Sequence, residues 1–385
     1  MRKTLTTAAA TLLLVFGCSN QEEREPAAAS TTAERATASA ETPAAPAALE
    51  ILPSPAGPGA AEPSLFAARD GVILSWLAPV PNTDRHSLLV SKYANGGWSQ
   101  PRTVVSRNDL FVNWADFPSV VEDANGVLYA HWLQKSGSGT YAYDVRMSTS
   151  KDGGATWSES FLLNRDGKQS EHGFATLAPL SGGGIAATWL DGRNMTMGGH
   201  DGHEGGGDMT LRYATIDANG TIAGDVELDA RTCECCTTGM AIAEKGPVIV
   251  YRDRTKDEIR DISMLRNEGA NWIAQAPLRK DGWKINGCPV NGPQIDALGN
   301  ALATAWFTAP EGQSRVYVSF LSGQEAIAVD DGKPIGRVDV VLLDRDTAFV
   351  TWLEQTASGA EIRARRVTRD GKRGDSIKIA DSGTA

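Results

Sequence analysis

A unit repeated six times is the feature of this 385-residue sequence that most limits its fold. Each copy is a turn containing Gly or Asp, followed by a run of β-branched and small residues that ends in an aromatic residue. The six aromatic residues are Trp76, Trp132, Trp189, Tyr251, Trp306 and Trp352. Their spacings of 56, 57, 62, 55 and 46 residues are each about the length of four short strands with their turns.

The repeat predicts the architecture. A short strand is expected before each copy and two more after it, which gives six four-stranded sheets over residues 63–382. Six such sheets arranged radially make an all-β, six-bladed β-propeller. A solenoid or a row of sandwiches is the alternative, but solenoid repeats are usually shorter and sandwiches would not recur at this period.

Composition and charge exclude several classes of protein. The sequence is 41% hydrophobic and 22% charged, which rules out disorder throughout and a polytopic membrane protein. The formal net charge is −10, the opposite of the balance expected for a general nucleic-acid binder. Nucleic acid is therefore not an expected partner.

The first 18 residues have the pattern of a secretory signal, with a positive start at Arg2 and an uncharged run from Leu5 to Phe16. The ending at Gly17-Cys18 resembles a bacterial lipobox, which implies that Cys18 is lipidated and becomes the mature N-terminus; a plain signal peptide with a chance cysteine is the alternative. Acyl chains contribute ~0.8 kcal/mol per buried methylene to membrane binding. Ser19 after the cysteine implies sorting to the outer membrane of the cell envelope.

Residues 19–62 are dominated by small and polar residues and contain no aromatic residue. Such a segment cannot bury enough apolar surface to offset the entropy of ordering it. We expect a disordered linker that supplies reach, and we assign no site to it.

A hairpin motif lies within the second unit, at Ser150-Lys-Asp152-Gly153-Gly154-Ala-Thr156-Trp157. This matches the Asp-box, in which the carboxylate accepts N–H bonds across a tight turn and the glycines permit positive φ. Incomplete versions occur at Asn95 to Trp98, Asp217 to Gly220 and Asn267 to Trp272. Here the sequence resembles the sialidase superfamily of Asp-box (BNR-repeat) propellers over residues 63 to about 382. In that family Asp-boxes are structural and lie away from the active face, so the motif itself implies no activity.

The loops at one end of the predicted propeller carry the candidate binding residues. The resemblance implies that arginines at the ends of second strands hold a substrate anion, since a guanidinium binds a carboxylate bidentately; these are Arg193, Arg252 and Arg254. The candidate acids and bases are Asp116, Asp191 and Asp253, with His172 as a further contact. The simpler alternative is that these Arg and Asp side chains pair with each other and hold the loops.

Three features of sialidases have no assignment in the sequence. There is no Arg-Ile-Pro motif in the first unit, and three arginines from separated blades cannot be assigned as a triad. A tyrosine nucleophile cannot be paired with a glutamate base from spacing alone. An activity on another anionic sugar stays open.

Four cysteines follow the signal, in the loops before the fourth and fifth sheets. Cys233, Cys235 and Cys236 form a C-x-C-C run, and Cys288 begins Cys288-Pro-Val-Asn-Gly-Pro293. The two motifs resemble those of bacterial sialidase-like lipoproteins. Neighbouring loops predict that the thiols lie close together, either as disulfides in an oxidising envelope or as ligands of copper or zinc.

A second candidate metal site is the Gly-rich loop between two strands of the third unit. His200 and His203 lie there with Met195 and Met197, a set of donors that suits copper in either oxidation state. The alternative is a mobile loop with chance histidines.

Three functions follow from these features. The first is a sialidase-like (exo-alpha-sialidase-type) surface lipoprotein, a monomer that cleaves or binds an anionic glycan. The second is a non-catalytic module that binds a glycan or a protein. The third is a metal- or redox-active protein that uses the cysteines.

Overall fold

The computed structural model describes residues 49–195, 207–269, 271–275, 277–321 and 325–382. Within these ranges the chain is built from six antiparallel β-sheets, with a short 3-10 turn at Pro310–Gly312. No helix of the described residues is both long and apolar enough to cross a membrane. The predicted all-β, six-bladed propeller is confirmed.

The first three sheets run in chain order from their inner to their outer strands. Sheet 1 contains β1 (Ala61–Ala68), β2 (Gly71–Pro79), β3 (His86–Ala94), β4 (Gly97–Trp98) and β5 (Arg102–Arg107), with β4 and β5 both paired to β3. Sheet 2 contains β6 (Ser119–Glu122), β7 (Leu128–Lys135), β8 (Tyr143–Ser150) and β9 (Phe161–Leu162). Sheet 3 contains β10 (His172–Pro179), β11 (Ile185–Asp191), β12 (Thr210–Ile216) and β13 (Ile222–Asp229).

The last three sheets repeat the same order. Sheet 4 contains β14 (Gly239–Ala243), β15 (Gly246–Arg252), β16 (Ile262–Glu268) and β17 (Asn271–Gln275). Sheet 5 contains β18 (Gln294–Leu298), β19 (Ala301–Thr308), β20 (Arg315–Phe320) and β21 (Ile327–Ala328). Sheet 6 contains β22 (Pro334–Asp344), β23 (Thr347–Thr356), β24 (Gly359–Thr368) and β25 (Ile377–Asp381).

The six repeated aromatic residues all lie on the second strand of a sheet and are all buried. In three sheets the indole N–H faces a polar side chain two residues later, at Gln134, Asp191 and Glu354. Residues i and i+2 share one face of a strand, so each such pair satisfies a buried donor locally. The repeat is therefore a packing device.

The core is divided among the interfaces between successive sheets. Five hydrophobic clusters join sheets 1 and 2, 2 and 3, 3 and 4, 4 and 5, and 5 and 6. None of these clusters of described residues joins sheet 6 to sheet 1. On β22, Val341 and Leu343 point away from sheet 5 and are 46% and 47% exposed.

The Asp-box forms the hairpin that its sequence predicts. Asp152 accepts hydrogen bonds from the Ser150 hydroxyl at 2.8 Å and from the Thr156 N–H at 2.9 Å. Gly153 and Gly154 have φ of 67° and 85°, the left-handed region that favours glycine. The Thr156 hydroxyl donates to the other carboxylate oxygen at 2.6 Å and, with these two hydrogen bonds, lowers the pKa of Asp152 to about 2, so the carboxylate is ionised.

Candidate functional site

The loops before the first strands of sheets 3 and 4 are tied to neighbouring strand ends. Glu171 forms a bridge with Tyr143 at the start of β8, and Thr232 forms one with Asp253 just after β15. The Cys233 N–H also donates to the carbonyl of Arg252 at 3.0 Å. Residues that are distant in sequence are thereby fixed beside each other at one end of the propeller.

The most suggestive arrangement surrounds the hydroxyl of Tyr143. Its oxygen lies 3.0 Å from Asp116 Oδ2 and 3.0 Å from Glu171 Oε1, and all three residues are buried. Asp116 Oδ1 also accepts the N–H of Phe174 at 2.9 Å. A single phenol proton cannot bridge both carboxylates, so the arrangement favours a second proton on one of them.

Electrostatics place that second proton on Asp116. Burial, with the nearby charge of Glu171, raises the pKa of Asp116 to about 8, against the lowering effect of the hydrogen bonds from Phe174 and Tyr143. Burial and the two carboxyl groups also raise the pKa of Tyr143 well above its ordinary value. Near neutral pH the group therefore contains a carboxylic acid and a phenol, a combination suited to proton transfer.

These groups line a cavity of about 180 Å³, called the Tyr143 pocket from here on. Besides Asp116, Tyr143 and Glu171, its walls include Phe111, Trp114 and Cys288. The ring of Phe111 stacks on Tyr143 with centroids 4.1 Å apart, and Trp114 is 64% exposed. The guanidinium of Arg337 lies 4.4 Å from the centroid of the Trp114 ring. Arg337 is exposed, and no described carboxylate forms a salt bridge with it.

Glycine at position 173 permits this close packing. A Cβ there would lie 1.9 Å from Asp116 Oδ2 and 2.9 Å from the Tyr143 ring. The backbone of β10 therefore approaches the two functional side chains more closely than any other residue type would allow.

The arginines selected from the sequence have partners already. Arg252 is buried at the end of β15 and donates to the carbonyls of Asn291, Arg260 and Phe307 at 2.6 to 3.0 Å. Its guanidinium also lies 4.8 Å from the Trp283 ring. These contacts favour the structural alternative for Arg252.

Arg193 and Asp191 form a bidentate pair, with N–O distances of 2.8 and 2.6 Å. Asp191 also accepts the indole N–H of Trp189 at 2.9 Å. Burial opposes ionisation of Asp191, but the hydrogen bonds from Arg193 and Trp189 and the positive charge beside it together outweigh burial and lower its pKa. Neither residue lines the Tyr143 pocket.

Arg254 and Asp253 belong to a network beside the cysteines. Arg254 contacts Glu258 at 3.0 Å and Glu234 at 3.3 Å. Asp253 accepts from the Ser263 hydroxyl at 3.2 Å, and burial raises its pKa. Structural pairing again accounts for the contacts of these residues.

His172 is fully buried among three carboxylates rather than exposed in a pocket. Its ring nitrogens lie 3.3 Å from Asp166, 3.5 Å from Asp144 and 3.6 Å from Asp191. Asp166, His172 and Asp191 are close enough to hold one metal ion, but the pairing of Asp191 with Arg193 already uses both carboxylate oxygens of Asp191.

The cysteines are brought together as their loop positions predict. The Sγ atom of Cys233 lies 3.1 Å from that of Cys236 and 3.8 Å from that of Cys235. Cys288 is a hydrogen-bonding neighbour of Cys235, and both line the Tyr143 pocket. The structure has no disulfide among these four cysteines.

The pKa of one cysteine of this group is lowered by its neighbours. Burial by itself raises the pKa of the Cys233 thiol, but hydrogen bonds from Cys235 and Cys236 and the charge of Arg260 hold it well below its usual value. The Sγ atoms of Cys233, Cys235 and Cys236 lie within 4.8 Å of one another, close enough to hold one soft metal ion. Cys18, His200 and His203 lie outside the described residues, so lipidation and the His/Met copper site stay predictions.

Sequence reasoning identified Asp116 but assigned no role to Tyr143, Glu171 or Arg337. Only their places in the repeat could have indicated a role for Tyr143 and Glu171. Tyr143 begins the third strand of sheet 2, and Glu171 immediately precedes the first strand of sheet 3. Both positions belong to the end of the propeller where the loops meet. The pairing of chain segments that brings Tyr143 and Glu171 together could not be predicted from the spacing of the repeats.

Comparison with known proteins supports the fold. No family model matches the chain, and no curated protein matches it. It is similar to an α-L-arabinofuranosidase from Fusarium graminearum solved with an iminosugar inhibitor, at 12% identity and a TM-score of 0.51 over 81% of this chain and 94% of that one. It is also similar to an α-L-arabinanase from Penicillium chrysogenum complexed with arabinobiose, at 11% identity and a TM-score of 0.50 over 84% and 94%.

A sialidase from Streptococcus pneumoniae matches at 13% identity and a TM-score of 0.46, over 77% of this chain and 65% of that one. At such identities the likeness concerns the fold alone. The chain is a six-bladed β-propeller, and its chemistry has to be argued from its own residues.

Proposed function

We propose that this protein is a sialidase-like glycoside hydrolase that removes a terminal anionic sugar in the Tyr143 pocket. The observation that carries the proposal is the placement of the Tyr143 hydroxyl 3.0 Å from both Asp116 and Glu171. Glycosidases generally use two carboxyl groups, and sialidases use a tyrosine as nucleophile. The pocket supplies a phenol with a base beside it and a separate carboxylic acid.

The proposed reaction has two steps. In the first, Glu171 accepts the phenol proton, the oxygen of Tyr143 bonds to the anomeric carbon, and the glycosidic C–O bond breaks as Asp116 protonates the leaving oxygen. In the second, Asp116 takes a proton from water, the water oxygen replaces tyrosine at the anomeric carbon, and Glu171 returns its proton to the phenol. Every proton is thereby restored.

The pocket entrance supplies the proposed binding contacts. The exposed face of Trp114 provides an apolar platform for a sugar ring. Arg337, beside that ring, replaces the arginines chosen from the sequence as the group that holds the substrate anion. By the same proposal, acylation of Cys18 tethers the enzyme to the outer membrane.

The test is a panel of fluorogenic glycosides with anionic and neutral sugars, assayed with the full chain. Tyr143→Phe removes only the hydroxyl, so we expect kcat to fall by about 10²-fold or more. Tyr251→Phe is the matched control, because it removes a phenol that contacts Asp229 outside the pocket. Arg337→Ala should raise KM for anionic substrates about tenfold and leave KM for neutral ones unchanged.

Two results would contradict hydrolysis at this site. Equal turnover by the native chain and Tyr143→Phe would remove the phenol from the mechanism. Saturable glycan binding without turnover of any glycoside would identify the binding module in place of the enzyme.

A further inference from the structure

The three buried thiols of Cys233, Cys235 and Cys236 will be called the thiol cluster. Their Sγ atoms all lie within 4.8 Å of one another, and each residue is at most 5% exposed. The proposed hydrolysis uses none of them. Packing alone does not explain three sulfur atoms directed at one point from a four-residue segment.

The spacing fits a shared metal ion. A thiolate bound to zinc lies ~2.3 Å from the metal, so two thiolates on one ion are at most about 4.6 Å apart and about 3.8 Å apart in a tetrahedron. The Sγ atom of Cys233 lies 3.8 Å from the Sγ atom of Cys235 and 3.1 Å from that of Cys236. The Sγ atom of Cys236 would have to move outward from that of Cys233 to share an ion with it.

The guanidinium groups of Arg252 and Arg260 oppose the negative charge that thiolates in the thiol cluster would carry. The guanidinium of Arg260, itself 1% exposed, lies 3.2 Å from the Sγ atom of Cys233. The charge of Arg252 also acts on Cys233 and Cys236. Buried charges persist in proteins when they are paired. Three thiolates and a monovalent cation leave two negative charges. The guanidinium groups of Arg252 and Arg260 offset part of this charge, and Arg260 also pairs with Glu234 and Glu258 at 3.0 Å.

A fourth sulfur stands at the edge of the cluster. Cys288 is adjacent to Cys235. Its loop is fixed by Gly292, where a Cβ would lie 1.9 Å from the carbonyl oxygen of Thr237, so no larger residue permits this contact between the two cysteine motifs. Zinc completes a tetrahedron with four ligands, whereas three buried thiolates suffice for copper(I).

We propose that the thiol cluster binds one thiophilic closed-shell cation, copper(I) or zinc(II), through the sulfur atoms of Cys233, Cys235 and Cys236. Binding replaces the thiol protons, which are released to solvent, and involves no change of oxidation state. The site is independent of the proposed hydrolysis, because its test uses no glycoside.

The experiment uses the full-length chain purified without oxygen and without chelator. Metal content is measured, and copper(I) and zinc(II) are titrated separately in competition with chromophoric chelators. We expect one equivalent to bind, with a near-ultraviolet thiolate-to-metal band and a sulfur shell at about 2.3 Å in X-ray absorption. These measurements on the native chain hold even if a cysteine variant fails to fold.

Variants identify the ligands and the ion. Cys235→Ser should weaken binding at least about 100-fold, whereas Met264→Leu, which removes a buried sulfur outside the thiol cluster, should leave it unchanged. Cys288→Ser distinguishes copper(I) from zinc(II) as the bound ion. Unchanged copper(I) affinity supports the three-sulfur copper site, and a loss of zinc affinity of about tenfold or more supports a four-sulfur zinc site.

Three outcomes would overturn the proposal. One is a chain that binds neither ion while its thiols react freely with a thiol reagent. Another is a disulfide between any two cluster cysteines in protein taken directly from the cell envelope. The third is a visible-absorbing iron–sulfur chromophore, which would show that the cysteines hold a different cofactor.

Discussion

Asp116 shows how burial and position together change the chemistry of a single residue. Its carboxyl lies against the N–H of Phe174, the phenol of Tyr143 and the charge of Glu171, and its pKa is raised from 3.8 to about 8. Between these values the folded chain keeps a proton that the unfolded chain releases. The contribution of Asp116 to stability is therefore complete below about pH 4 and is lost as the pH rises to about 8.

Asp116→Asn provides the test of this prediction. The amide cannot ionise, so the decline of the unfolding midpoint temperature between about pH 4 and pH 8 should become shallower in the variant. Asp217→Asn is a suitable control, because hydrogen bonds in its turn lower the pKa of Asp217 and place its effect at more acidic pH. Parallel curves for the native chain and Asp116→Asn would show that Asp116 is ionised throughout.

The contacts of individual residues also explain which site residues could be predicted from the sequence. Asp116 was identifiable because an aspartate before a predicted first strand lies at the functional end of the fold. The structural role of Arg252 could not be predicted, because its partners are the carbonyls of Asn291 and Phe307, 39 and 55 residues away along the chain. Contacts of that kind depend on the docking of sheets 4 and 5 and leave no local pattern.

Individual elements followed from the sequence more completely. The aromatic residue at the end of each repeat predicted a buried second strand, and the Asp-box predicted its hairpin, since both depend on interactions within a few residues. The loops differ, because they depend on distant partners. The Cys288 loop is held by Asn291, whose amide donates to the carbonyls of Pro289 and Ile335 at 3.1 Å. Its oxygen accepts the N–H of Arg337 at 2.9 Å.

We therefore expect Asn291→Ala to release the Cys288 loop from β22. Each partner left unsatisfied costs about 1 to 3 kcal/mol, so the free energy of unfolding should fall by at least about 1 kcal/mol. Cys288 should also react faster with a thiol reagent in the folded protein. Asn219→Ala, in an exposed hairpin, serves as the control, and equal thiol reactivity in the two variants would disprove the anchoring role of Asn291.

At the scale of the whole molecule, stability comes from the interfaces between sheets, and these are unequal. Sheets 2 to 5 each share described hydrophobic clusters with both neighbours, whereas sheets 1 and 6 each share one. The repeat predicted six equivalent sheets and gave no sign of this difference. The outer face of β22 shows it directly, since Val340 is 6% exposed and Val341 is 46% exposed.

Substitutions of these adjacent valines on β22 test how tightly sheet 6 packs against sheet 1, an interface that we call the seam. Val340 packs in the cluster shared with sheet 5, so Val340→Ala should lower the free energy of unfolding by about 2 kcal/mol through lost burial and the cavity left behind. Val341 lies on the opposite face of β22 and is 46% exposed, so Val341→Ala should change the same quantity by less than about 0.5 kcal/mol. Denaturant unfolding of both variants measures the difference. A cost at Val341 equal to that at Val340 would mean that the seam is packed as tightly as the other five interfaces, since an alanine substitution destabilises a strand only where the lost methyl groups had been in contact.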